Sequence, residues 1–306
     1  MGFFDKLKSM VTGEDASEAA AAPKPSAIRL TEKQLTIREW LTSLSPEWQE
    51  VLDEGWSSIN LNHTDEELDQ RFREIKTLDI SDHPKIKDIT PLAELSFLRE
   101  LDMSECRVSD LSPLKKLKLE KLDIAKNPIK DLSPLSEITT LKKLRFGGNA
   151  FKLIDNIDAL STLVNLEELS MGDSLVSSVK ALANCKALKD LNAPDTALNS
   201  FEGLENCTQL ERLSVHRTSV SDLSPLAALV NLKELALFHC PNVRSISVVA
   251  NFTKMENLDI AYSGVTDLSP LYGLTNLEEL STSGWLKDQN AAFQTACPTC
   301  KVVEFG

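Results

Sequence analysis

The chain is short of positive charge: 33 lysines and arginines stand against 46 acidic residues, a formal net charge of −13 with a pI near 4.9. A surface so biased repels phosphate backbones and anionic headgroups, which argues against nucleic acid as a partner. Long apolar runs are lacking as well. No stretch reaches the roughly 18 apolar residues that a spanning helix needs, and the N-terminus has no apolar core of a secretory signal. We therefore expect a cytoplasmic protein. Cysteine is sparse: Cys106, Cys185, Cys207, Cys240, Cys297 and Cys300 are too scattered for a disulfide framework and fit a reducing compartment. With 11 glycines and 13 prolines in 306 residues, collagenous and low-complexity architectures are excluded. A hydrophobic content of 42% is instead enough for a large core.

What the chain has in quantity is repetition. Ten copies of Leu-x-x-Leu-x-hydrophobic centre on Leu78, Leu101, Leu122, Leu144, Leu169, Leu191, Leu213, Leu235, Leu258 and Leu280, spaced by 21 to 25 residues. A period of this length marks stacked units of one short strand and a turn or 3₁₀ segment, none of which buries its apolar face alone. The phrase Asp-Leu-Ser-Pro-Leu recurs at 110–114, 131–135, 222–226 and 267–271, with a near copy at 88–92. Its Ser-Pro reads as the N-cap and first position of a short helical turn. The spacing of 25 after Leu144 implies a three-residue bulge near residues 151–157, expected on the convex side.

This pattern resembles the bacterial leucine-rich repeats of about 22 residues, internalin-like in form, over residues 75–306. The resemblance implies an α/β solenoid: a curved, right-handed leucine-rich-repeat array with a parallel inner sheet. It also implies an asparagine ladder five residues after each central leucine. Here that position holds His83, Cys106, Asn127, Asn149, Ser174, Thr196, Thr218, Cys240, Ser263 and Trp285. Small polar groups there would satisfy buried backbone; His83 and Trp285 depart from the pattern in the terminal repeats.

The ends differ from the array. Residues 28–74 carry helical signals and read as a helical N-terminal cap: Thr31 with Gln34 and Thr64 with Glu67 form capping boxes, and Ser45-Pro46 opens a segment holding Trp48, Val51, Leu52 and Trp56. Residues 13–27 are Pro/Ala-rich and read as a flexible linker. Residues 1–12 place Phe3, Phe4, Leu7, Met10 and Val11 at helical spacing, an amphipathic stub suited to weak membrane contact or a partner groove. Residues 75–306 form the repeats with a short C-terminal cap strand, in which Val302 falls 22 residues after Leu280.

Catalytic and cofactor signatures are not found. Gly172-Asp173-Ser174-Leu175 spells the nucleophile block of the GDSL hydrolases, but no histidine has an aspartate three residues before it, and Ser174 occupies the ladder. Cys297-x-x-Cys300 has the spacing of half a zinc site or a redox pair, but no second pair or nearby histidine follows, and it reads as part of the C-terminal cap. Cys185 and Cys207, one repeat apart, read as convex packing. No metal or cofactor is expected.

Side chains flanking the central leucine face the concave side. There Asp79, Asp102 and Asp123 form an acidic ladder toward the N-terminus, while His216, Arg217, Phe238, His239 and Tyr262, with Trp285 nearby, gather toward the C-terminus. Aromatic and arginine side chains favour binding hot spots. The expected function is a non-catalytic, cytoplasmic protein–protein interaction scaffold that binds a protein partner through the concave face at these residues. One alternative is a membrane-associated adaptor using the stub. Another is an enzyme with His216, His239 and Asp195 as an acid–base or metal site.

Overall fold

The computed structural model describes residues 35–55, 63–148 and 152–306. The stub, the linker, the Thr31–Gln34 capping box, Trp56, Asn149 and Phe151 lie outside the described residues. Three helices come first: α1 (Ile37–Ser43), α2 (Pro46–Gly55) and α3 (Asp65–Glu74). The Thr64–Glu67 capping box forms as the sequence predicts, and a second box, Thr36 with Glu39, starts α1. In each, the threonine hydroxyl accepts an N–H that the first helical turn leaves orphaned. Arg38 Nε donates to Asp65 at 2.8 Å and ties α1 to α3.

Eleven parallel strands follow, in strict sequence order among the described residues. They are β1 (Thr77–Asp79), β2 (Glu100–Asp102), β3 (Lys121–Asp123), β4 (Lys143–Arg145), β5 (Glu168–Ser170), β6 (Asp190–Asn192), β7 (Arg212–Ser214), β8 (Glu234–Ala236), β9 (Asn257–Asp259), β10 (Glu279–Ser283) and β11 (Lys301–Phe305). All ten predicted central leucines stand opposite one another across neighbouring strands, and Val302 continues the column opposite Leu280. The fold is the leucine-rich-repeat solenoid. Each leucine is buried while its flanking residues point to the opposite face, so one continuous core runs the length of the array.

The return segments behave differently from expectation at their caps. Short 3₁₀ turns start at Ser112, Ser133, Ser224 and Ser269, but those serines cap nothing. The aspartate two residues earlier does so: Asp110, Asp131, Asp222 and Asp267 each accept both the backbone N–H and the hydroxyl of the serine. These bonds favour the ionised carboxyl and hold it below the usual carboxylate range. A depressed folded-state pKa contributes stability above the unfolded value of about 3.9, and that stability is lost as pH falls through the folded value. Replacing all four by asparagine keeps an acceptor oxygen but removes the proton uptake. The expected result is a shallower fall of the melting temperature below pH 4; parallel acid limbs for both proteins would count against it.

Residues 149–151 of the fourth repeat's expected insertion lie outside the described residues; after them Ile154 and Ile157 are buried before the 3₁₀ turn Asp158–Thr162. Lys152 Nζ reaches the Asp195 carbonyl at 3.2 Å, two repeats on.

At the C-terminus, a helix that the sequence pattern did not announce, α4 (Lys287–Ala296), precedes β11 and buries Phe293. Cys297 ends that helix half-buried, and Cys300 is buried before β11. Cys185 and Cys207 are buried with their thiols toward carbonyls of the preceding repeat; desolvation pushes them up to about 11 and about 12, so they stay protonated at neutral pH. Among the described residues, no helix is long and apolar enough to cross a membrane.

Candidate functional site

One backbone feature organises the rim where the strands end. Four residues after the central leucine, Asp82, Glu105, Lys126, Asp173, Asp195, Arg217, His239 and Tyr262 all adopt the left-handed conformation, with φ between 53° and 59°. Gly148 fills the same position at φ 68°. The conformation is held by a ladder of bonds outside the strands, in which this residue donates its N–H to a carbonyl one repeat on: Asp195 to His216, Arg217 to Phe238 and His239 to Ala261, at 2.8 to 3.0 Å. Left-handed backbone costs an L-residue about 1–2 kcal/mol, and glycine or asparagine relieves it. Because the first nine repeats all share it, the conformation belongs to the repeat and fixes where Arg217, His239 and Tyr262 leave the rim.

The structure brings the C-terminal residues together. His239 stacks on Tyr262 with ring centroids 4.4 Å apart and planes 8° from parallel. Phe238 stands edge-on to both, at 4.5 and 5.5 Å, and His216 lies 6.0 Å from it. The Arg217 guanidinium lies 5.9 Å over the Phe238 ring and 3.3 Å from the Asp195 carboxylate. Trp285, in the short turn Gly284–Leu286, is 59% exposed and 6.0 Å from Tyr262. Phe305 joins the cluster, 5.8 Å from Phe238 and 6.3 Å from Tyr262. Counting from Val302 as a central leucine puts Phe305 in the column of His216 and Phe238, which is how the sequence could have announced it.

The acidic ladder is a different kind of feature. Asp79, Asp102, Asp123 and Asp259 each accept the backbone N–H two residues on, at 2.9 to 3.0 Å, and so shape their own turns. Asp123 is buried and also faces Arg145 at 3.0 Å. Burial pushes the Asp259 carboxyl up, opposed by the Ala261 N–H and by the neighbouring His216 and His239. Of the three residues of the enzyme alternative, Asp195 faces Arg217 at 3.3 Å and His239 stacks on Tyr262, while His216 lies beside Phe238. Among the described residues no three histidine, cysteine or acidic side chains are placed to hold a metal. Ser174 donates to the Met171 carbonyl at 2.8 Å and is buried, as the ladder reading requires. Asn127, Thr196, Thr218, Cys106 and Cys240 likewise bond backbone carbonyls.

Among the described residues, two concavities lie away from the rings. A groove of about 260 Å³ crosses β3 to β6, and in it Lys143 pairs with Glu168 and Arg145 with Asp123. A cleft of about 500 Å³ separates the helices from the first repeat. There Trp48 Nε1 donates to the Asp88 carbonyl at 2.8 Å and Lys85 meets Glu50 at 2.9 Å, so it is the seam that docks the helices.

Comparison with known proteins agrees with this geometry. The profile for "Leucine Rich repeats (2 copies)" matches residues 96–137. No curated protein sequence matches significantly. Among solved structures, internalin InlF from Listeria monocytogenes is similar at 21% identity and a TM-score of 0.59, over 78% of this chain and 84% of that one. Internalin C2 from the same organism is similar at 25% identity and a TM-score of 0.56, over 70% and 83%. A plant peptide hormone receptor, RGFR1 in complex with RGF2, is similar at 15% identity and a TM-score of 0.59, over 78% and 45%. These likenesses concern the internalin-type leucine-rich-repeat fold.

Proposed function

We propose that this chain, an internalin-like leucine-rich-repeat solenoid, is a non-catalytic interaction scaffold that takes a protein partner on the C-terminal half of its concave face. The observation that carries this is the aromatic rim itself: His239 and Tyr262 present stacked, solvent-accessible rings beside Phe238 and the Arg217 guanidinium. Rigid aromatic area beside a guanidinium is what binding hot spots favour, and little side-chain entropy remains to be lost. A cytoplasmic setting is part of the proposal, supported by six cysteines that are all free thiols.

The test is affinity capture from the native cell with the intact chain, followed by titration of the captured partner. Alanine at Arg217, Phe238, His239 and Tyr262, one at a time, is expected to cost about 2 kcal/mol at two or more positions. Alanine at Asp79 and Asp102 is expected to change affinity little at high salt, because exposed charges act mainly through long-range attraction. Equal affinity for all four rim variants, with folding intact, would defeat the proposal.

A further inference from the structure

The charges on the strand face are not distributed evenly, and their distribution identifies what the rim is built to meet. Two rows precede the central leucine. Along the row two residues before it, charges alternate from repeat to repeat and pair: Glu120 with Lys142 at 2.6 Å, Glu167 with Lys189 at 2.6 Å, Glu211 with Lys233 at 2.8 Å. The row one residue before it also forms pairs, Lys143 with Glu168 at 2.7 Å and Asp190 with Arg212 at 2.7 Å, although Lys121 stands opposite Lys143 and Glu168 opposite Asp190.

The row two residues before the leucine alternates as far as Glu256 and then repeats the acid at Glu278. Both rows and the flanking column turn acidic at Glu234, Glu256, Asp259 and Glu278, and among the described residues none of the four makes a salt bridge. Lys301 is the cation added at this end, and it is held by Glu279 at 2.8 Å. The surplus lies on β8 to β10, the strands whose ends carry Phe238, Tyr262 and Trp285. Between the acidic rows and the rings, Ala236, Asp259 and Ser281 hold the intervening positions on β8, β9 and β10.

We infer that the trough over β8 to β10 docks a basic, apolar segment of the partner protein, with its lysines or arginines along Glu234, Glu256, Asp259 and Glu278 and its aromatic or aliphatic side chains on Phe238 and Tyr262. Charge complementarity is the argument: four carboxylates that form no salt bridge among the described residues lie on or immediately before three neighbouring strands beside the rings. Asp259 adds to it, since a partly desolvated carboxylate gains more from an incoming cation than an exposed one does. The inference rests on the concave-face reading above and names the partner's chemistry.

A random linear peptide library displayed on phage, panned against the intact chain, tests both separately. Selected peptides are expected to be rich in Lys or Arg and to carry at least one aromatic or large aliphatic residue. Their affinity should fall about tenfold or more for Glu234→Gln/Asp259→Asn and for Phe238→Ala/Tyr262→Ala. It should change less than about twofold for Asp155→Asn/Glu74→Gln, which removes equal charge elsewhere. Circular dichroism and melting temperature establish that each variant is folded. Peptides that need Phe238 and Tyr262 but carry no basic excess overturn the inference and leave the concave-face reading standing. Basic peptides indifferent to the ring variant overturn both. A failure to enrich any sequence overturns the claim that a linear segment fills the trough.

Discussion

Phe72→Ala should destabilise the protein by about 3–5 kcal/mol and turn it into an aggregating species, although residue 72 lies outside the repeats. The ring is fully buried on α3, 5.4 Å from Trp40 of α1 and 5.1 Å from Phe97 of the turn before β2, edge-on to both. It is thus the middle of a three-ring chain that joins two helices to the array. A stack of repeats is held by nearest-neighbour interfaces, and β1 is the end strand of the sheet. Loosening α1 and α3 leaves Leu78 and the first return segment against water, and a bare sheet end invites pairing with another chain. Urea unfolding together with size-exclusion chromatography measures both effects. A cost below about 1 kcal/mol, with a monomer retained, would mean that the helices ride on the array without supporting it.

The array was legible because its signal repeats: ten leucines at nearly constant spacing fix strand, face and register at once, and all ten stand in register. The rim residues were legible for the same reason, since a column in the sequence is a column in space. What escaped was the part that does not repeat or does not depend on side-chain identity. α4 interrupts the period once, at the terminal repeat, and its apolar stripe amounts to little more than Phe293. The left-handed column is a backbone property: glutamate, lysine, histidine and tyrosine share φ near 56° there without sharing any chemistry. The aspartate caps were misassigned to serine because Ser-Pro is itself a good helix start; the Asx geometry of Asp-x-Ser overrides it. A second ladder was also missed, although it is written in the sequence as Asn-Leu. Asn165, Asn231 and Asn276 each donate to a carbonyl of the previous repeat at 2.7 to 3.0 Å.

The two adjacent glycines after β4 should respond to alanine in opposite ways, because only one of them is confined. Gly147 sits at φ 87°, and a Cβ there would lie inside the Gly172 carbonyl oxygen, closer than side chains ever come to backbone. That oxygen accepts the Gly148 N–H at 2.9 Å, the bond that carries the rim ladder from the fourth repeat to the fifth. Gly147→Ala must therefore either break this bond or move β4 away from β5, on top of the left-handed penalty of about 1–2 kcal/mol. We expect a loss of about 3 kcal/mol or more, with cooperativity reduced because the break falls within the array and separates repeats that otherwise unfold together. Gly148 is left-handed too, at φ 68°, but its Cβ would meet only the Lys126 side chain at an ordinary 3.6 Å. Its column neighbours Lys126 and Asp173 already carry a side chain in that conformation, so Gly148→Ala should cost only the left-handed penalty of about 1–2 kcal/mol. Thermal and urea unfolding of the pair give the comparison directly. Similar losses for both would show that the left-handed backbone alone sets the cost, and that the close approach of the fourth and fifth repeats at Gly147 is not what couples the two halves of the solenoid.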